Sequence, residues 1–174
     1  MGDLRIIKTK KAIEDSFLSL RKKTDLDKIK VSELCSVALI NKTTFYNYYN
    51  DIYELSEELE DKYIKECFFG FDGYDCLIND TEKFILGVYK SFVNSSKIQI
   101  LFKNRISTLV EKAQQEVLNF YQDTINTEDT KMKVVFLIHG AFYLLLNYKG
   151  KASEEEKLKL IINYINNFLK KIPN

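Results

Sequence analysis

The 174 residues predict an all-α protein of about nine helices. Three observations carry that expectation. Apolar residues recur at intervals of three and four along nearly the whole chain, and no stretch alternates as a half-buried strand would. One proline and six glycines leave few of the tight turns that a sandwich or barrel needs. The length suits one or two small domains with a real core. Hydrophobic residues at 45% and charged residues at 29% are ordinary for a globular protein.

A first helix is expected from Thr9, read as its N-cap, to about Lys23, with Ile13, Phe17 and Leu20 on one face. Thr24 to Lys28 is a polar connection. From Lys30 to Tyr49 the chain reads KVSELCSVALINKTTFYNYY, two short helices joined by a tight turn. Val31, Leu34, Cys35 and Ala38 give the first an apolar side, and Leu39-Ile40-Asn41 breaks the pattern. Asn41 caps a second helix beginning at Lys42, in which Phe45 and Tyr49, four apart, face inward. Lys42, Thr43, Thr44, Tyr46, Asn47 and Tyr48 point elsewhere. A helix this short cannot hold itself together in water. Its use is to be carried on a scaffold into a groove, as in a helix-turn-helix unit that places its second helix in the DNA major groove. Arg5, Lys8, Lys10 and Lys11 precede it as a basic terminus, either solvated or an arm on the DNA backbone.

A long helix follows, about Ile52 to Phe69, with Ile52, Leu55, Leu59, Tyr63 and Cys67 in one stripe. Its acidic first half is read as a solvated face with Glu58–Lys62 and Asp61–Lys65 pairs at i,i+4, rather than as a metal site or a general acid/base pair. Residues 70–80 form a glycine- and aspartate-rich loop. Further helices span about Thr81–Asn94, Lys97–Lys103 and Ile106–Ile125, the last with Leu109, Val110, Ala113, Val117 and Tyr121 turned inward. Glu128–Tyr148 is apolar nearly all round, which makes it central or shared with a partner. Ser153-Glu-Glu-Glu156 is a capping box opening a final helix that stops near Pro173.

The formal charge of +1 hides an asymmetry: residues 1–50 hold ten Lys/Arg against six Asp/Glu. A basic head on an acidic body suits a nucleic-acid-binding head. Cys35, Cys67 and Cys76 match neither a disulfide framework nor a zinc site and are read as reduced thiols. The N-terminus lacks an apolar signal core, and the longest apolar run, Val134 to Leu146, falls short of the roughly 20 residues of a membrane span. The expectation is a cytoplasmic protein without membrane association.

The string ALINKTTFYNYY, Ala38 to Tyr49, resembles the DNA-reading segment of TetR-family transcriptional regulators. The order of parts is similar too, and the segment FLIHGAFYLLLNYKG followed by SEEEK looks like the body of a Firmicute-type subset. The resemblance implies a helix-turn-helix domain over 1–51 and a ligand-binding and dimerisation domain over 52–174. It implies a homodimer through the last two helices and a small-molecule effector pocket that sets the spacing of two heads on double-stranded DNA. By position Thr44, Tyr46 and Tyr48 match residues used on DNA backbone and bases, with Lys42, Thr43 and Asn47 on the same face and Ser32 at a common phosphate contact. Lysine suits guanine, and asparagine suits adenine. Hydroxyls suit phosphate.

Three positions depart from that pattern. Leu39 replaces the turn glycine, so no freely left-handed residue is available there. Lys30 replaces a capping threonine. Ile52 replaces a lysine that would touch phosphate.

The function expected is therefore a ligand-responsive regulator, more specifically a repressor at a near-palindromic operator. The alternative is a co-regulator of the same fold that works through a protein partner. Without a Ser/His/Asp or Cys/His constellation, a phosphate-cradling loop or metal-ligand spacing, no enzyme activity, cofactor or metal is expected. His139 is read as a core or pocket histidine, and Tyr89, Tyr121 and His139 as polar groups of an otherwise apolar, aromatic-rich pocket.

Overall fold

A computed structural model describes residues 2–69, 80–123 and 125–169. Those residues are mostly helical, without a strand among them. The helices are α1 (Gly2–Arg21), α2 (Val31–Val37), α3 (Lys42–Tyr46), α4 (Ile52–Phe69), α5 (Thr81–Asn94), α6 (Ser96–Leu101), α7 (Ile106–Phe120), α8 (Glu128–Asn147) and α9 (Glu154–Leu169), with a 3-10 turn at Leu26–Lys28. The expected all-α class with about nine helices is what is found. Two compact units divide them, one of Met1–Tyr63 with Ser95–Asn104, the other of Ile64–Asn94 with Arg105–Asn174.

In the first unit α1 is longer than expected. It starts at Gly2, and Thr9 is no cap; its hydroxyl donates to the Arg5 carbonyl one turn back at 2.8 Å. Arg5, Lys8 and Lys11 are thus exposed on a helix rather than on a flexible arm. Ile13 and Phe17 are fully buried. Glu58 and Lys62, spaced for a pair along α4, instead pair across to α1. Lys10 Nζ lies 3.1 Å from Glu58, and Lys62 Nζ 2.8 Å from Glu14. The reason is geometric: α1 places its own charged face alongside, and a pair between helices ties two elements where an i,i+4 pair ties one.

Tyr63 completes this seam. Its hydroxyl donates to Glu14 and accepts from Lys97 of α6 at 2.6 Å, and Lys97 and Lys62 both lie over its ring. Burial pushes the Glu14 carboxyl up, but hydrogen bonds from Lys62 and Tyr63 and the charges of Lys62 and Lys97 outweigh it and hold the pKa below the ordinary value. Arg21, at the end of α1, is 1% exposed. Its guanidinium donates to the carbonyls of Thr24 (3.2 Å), Leu101 (3.4 Å) and Lys103 (3.0 Å).

The second unit is built on aromatic packing. Phe68 meets Phe84 and Phe92 at centroid distances of 6.0 and 6.1 Å, and Phe92 meets Phe142 edge-on at 5.7 Å. Such contacts add to the area these rings bury. The capping box forms in full: the Ser153 hydroxyl accepts from the Glu156 amide (3.2 Å), and the Glu156 carboxylate accepts from the Ser153 amide (2.8 Å). Thr127 caps α8 by accepting from Thr130 N–H. The 70–79 loop, Cys76 and the stop at Pro173 lie outside the described residues.

α8 behaves unlike a core helix. Although nearly all apolar from Val134 on, it has one buried residue, Val134. Met132, Phe136, Tyr143 and Leu146 are more than half exposed, as is Tyr164 on α9.

Candidate nucleic-acid interface

The site begins with the way α2 stops. Ile40 N–H bonds to Cys35 O at 3.0 Å and Leu39 N–H to Ser36 O at 3.4 Å. These are the two reversed bonds of a Schellman motif, which requires its residue after the C-cap to be left-handed. That residue is Leu39, at φ 53°. The expectation that a leucine would deny the turn this conformation is corrected: the hydrogen bonds of the helix end hold Leu39 there. A left-handed non-glycine residue costs about 1–2 kcal/mol, and Leu39 regains none of it by burial, being 91% exposed. Leu39→Gly is expected to raise the unfolding free energy by about 0.5–1 kcal/mol, the gain trimmed by glycine's freer unfolded chain. Urea denaturation of the two proteins checks this, and an unchanged or lower midpoint would refute it.

The start of α2 is weak as anticipated, for Lys30 makes no side-chain cap bond. The start of α3 is strong. Asn41 Oδ1 accepts from the Thr44 amide at 2.7 Å and from the Thr44 hydroxyl at 2.9 Å. α3 is short, ending at Tyr46 with Asn47 as its C-cap. The backbone still turns as far as Tyr49, whose N–H reaches Phe45 O at 3.1 Å. Phe45 and Tyr49 are buried and face inward as expected, their rings 5.7 Å apart. The Tyr49 hydroxyl donates to Glu58 on α4 at 3.0 Å, and Lys10 of α1 lies over the ring. Burial first, then that bond and the nearby carboxylates, push the Tyr49 phenol far above its usual pKa, so it stays a neutral donor. The turn just past α3 is therefore tied to α4 by the Tyr49 hydroxyl and to α1 by Lys10 over the Tyr49 ring.

On the outer side, Lys42, Thr43 and Asn47 are exposed, and Tyr46 is half exposed with its ring edge-on to Phe45. Ser32 is exposed on the first turn of α2. Thr44 and Tyr48 are half-buried, Thr44 because its hydroxyl serves the cap, and Tyr48 lies just past the helix. Of the seven residues, five (Ser32, Lys42, Thr43, Tyr46 and Asn47) are thus exposed on α2, α3 and the α3 C-cap.

Ile52 is buried at the start of α4, where its side chain contributes packing rather than a surface contact. The same end is closed by Asp51 Oδ1, which accepts from the Glu54 amide at 2.9 Å, and by the Glu54 carboxylate, which accepts from the Asn50 amide. Buried Cys35 and Cys67 are free thiols raised by desolvation, Cys67 to about 11, which keeps them protonated and unreactive at neutral pH.

The three pocket residues have separate partners. Tyr89 donates to Glu154 of α9 at 3.1 Å. Tyr121 is buried at the end of α7, edge-on to Phe120. His139 is exposed rather than a core histidine, with Nε2 2.8 Å from Gln114 Oε1 of α7. It misses the core because it lies on the outward side of α8. An open depression of about 520 Å³ on α5, lined by Asp80, Glu82, Lys83, Leu86, Gly87 and Lys90, includes none of them. Among the described residues no group of three or more His, Cys, Asp or Glu could hold a metal ion, and no helix is long and apolar enough to cross a membrane. No protein-family model, curated protein or solved structure matches this chain.

Proposed function

We propose that this protein is a ligand-responsive, DNA-binding transcriptional regulator, a repressor that binds a near-palindromic operator as a homodimer. The observation that carries this reading is α3 itself. Its inner residues are locked by Phe45 and by the Tyr49–Glu58 bond, while Lys42, Thr43, Tyr46 and Asn47 remain outward. A five-residue helix immobilised with its polar side in solvent has the form of a reading head. Lysine can donate to guanine O6/N7, asparagine can bond adenine bidentately, and hydroxyls can hold phosphate.

The apolar outer side of α8, with Leu160 and Tyr164 on α9, supports pairing of two copies through the last two helices, because exposed apolar patches of this kind mark interaction surfaces. The effector is a small molecule held in the second unit, for which Tyr89, Tyr121 and His139 are the polar candidates.

Selection of bound duplexes from a random pool, followed by gel shift, tests the proposal. A near-palindrome should emerge, with affinity falling linearly in log salt. Lys42→Ala with Asn47→Ala should weaken binding about 100-fold, since each base contact is worth about 1–3 kcal/mol. Failure of the pool to enrich, or binding indifferent to salt, overturns the reading.

One observation favours a second reading, a co-regulator acting through a protein partner. The start of α4 offers a buried Ile52 and a carboxylate, Glu54, in place of a base. Co-purification with another regulator, coupled with no gel shift by the pure protein, would select it.

A further inference from the structure

Among the described residues two other than glycine hold a positive φ, Leu39 and Asn104. Asparagine is one of the few side chains that visit this region readily, and leucine is not. Residues held in such conformations cluster where a protein binds or reacts. Packing does not reward this one: at 91%, Leu39 is the most exposed large hydrophobic side chain among the described residues. Nor does the turn need it. Glycine would close the same two hydrogen bonds, Ile40 N–H to Cys35 O and Leu39 N–H to Ser36 O, without a Cβ to clash. The gain that offsets the leucine therefore lies in a contact outside the chain.

Its surroundings say what kind of surface it meets. Ser36, Asn41, Lys42 and Thr43, on either side in the chain, are exposed and polar, and Val37 is the one other exposed apolar residue between them. Leu39 is thus an isolated apolar group in a polar, cationic rim, not part of a patch of the size that docks a protein. It stands three residues before Lys42, where α3 begins, and the first residues of a reading helix are those brought to base edges. Among its donors and acceptors the major groove presents one apolar group, the C5-methyl of thymine. We propose that Leu39 is a specificity-determining residue that packs on a thymine methyl, beside the bases read by Lys42 and Asn47. The inference rests on the DNA-binding reading above and adds one base to it, a thymine in each half-site.

A methyl contact differs from the polar contacts around it in two measurable ways. It releases no counterion, so removing the leucine should lower affinity without changing the slope of log Kd against log salt. Removing a lysine from phosphate reduces that slope. The second difference is in stability. Leu39→Gly relieves the backbone of α2's end and so raises the unfolding midpoint, which means that a loss of binding in this variant cannot come from unfolding.

The probe is the duplex that the full parent chain selects from a random pool, with each thymine of a half-site replaced in turn by uracil, symmetrically in both halves. The replacement removes the C5-methyl and keeps every hydrogen-bonding group. At one position the parent should lose about fourfold in affinity per half-site, the worth of one buried methyl, while Leu39→Gly binds the thymine and uracil duplexes alike. Leu39→Asn, which accepts the left-handed backbone but carries no apolar group, should match Leu39→Gly. If Leu39→Gly binds the thymine duplex as tightly as the parent, as it would were a protein docked on the leucine, the assignment is overturned. A uracil penalty as large in Leu39→Gly as in the parent at every thymine also overturns it, and makes Leu39 a sugar contact or a prop for α3. A selected duplex without thymine in its half-sites overturns the contact alone, whereas a pool that yields no duplex for the parent overturns the DNA-binding reading with it.

Discussion

Arg21→Ala is expected to lower the unfolding free energy by about 3 kcal/mol, read as a shift in the urea or thermal midpoint. The magnitude follows from what the side chain does. Its guanidinium, 1% exposed, reaches three carbonyls, two of them at the C-terminal end of α6 and just beyond, 80 and 82 residues away in sequence. The last carbonyls of a helix have no intrahelical donor, and hydrogen bonds to a charged donor contribute about 1.5–3 kcal/mol where buried. Truncation therefore removes the donors, leaves the acceptors inside and opens the space of the stem.

Two companions separate these effects. Arg21→Met restores the stem and should recover about 1 kcal/mol of the loss through burial. Arg21→Lys keeps the charge but offers a point donor in place of a fork, and should bond one carbonyl rather than three. If Arg21→Ala costs less than about 1 kcal/mol, Arg21 is not what fastens Ser95–Asn104 to the rest of the first unit.

Arg21 also marks the boundary of what the sequence discloses. Features set by neighbours in the chain were legible. The period of apolar residues gave the helices, and α4, α5 and α8 begin where their cap or first apolar residue places them. Asn41 and the Ser153–Glu156 box form the bonds their spacing implies. The inward Phe45 and Tyr49 and outward Lys42, Thr43 and Asn47 follow from helical geometry alone. What depends on distant residues was not legible. Nothing local distinguishes Arg21 from the lysines beside it, or tells that Ser95–Asn104 packs with the first 63 residues. Glu58 and Lys62 carry the spacing of an i,i+4 pair, yet each has a partner on α1, because charged side chains long enough to choose are settled by tertiary packing.

Leu39 is a different failure, a local rule overridden locally. Propensity disfavours leucine at positive φ, but the closing bonds of α2 fix the conformation of whatever residue stands there. Violations of this kind tend to collect at functional sites, and this one lies in the turn that sets α3. His139 misleads for a related reason. A histidine within an apolar helix reads as interior only when the helix is surrounded, and among the described residues the outward side of α8 is left exposed.

Phe45→Ala should have the largest effect, a loss of about 3–5 kcal/mol, the range for removing a fully buried phenylalanine. Phe45 is 0% exposed and is the one buried residue of α3. A helix of five residues cannot persist on its own propensity, so its position depends on this ring, on Tyr49 and on the Asn41 cap. The rings of Tyr46 and Tyr49 both rest against Phe45, at 5.5 and 5.7 Å, so its removal frees the support of the outer face as well as opening a cavity. The consequence for function is distinct from that of Lys42→Ala. Phe45→Leu, which keeps most of the buried volume, should cost less than about 2 kcal/mol and leave the fold populated at room temperature, yet, on the DNA-binding reading proposed above, weaken duplex binding because Tyr46 loses its edge-on seat. Circular dichroism and gel shift on the same preparation distinguish the cases. A Phe45→Leu protein that is folded and binds the selected duplex as tightly as the parent would show that α3 needs only a plug beneath it, and that the aromatic cluster does not position the reading face.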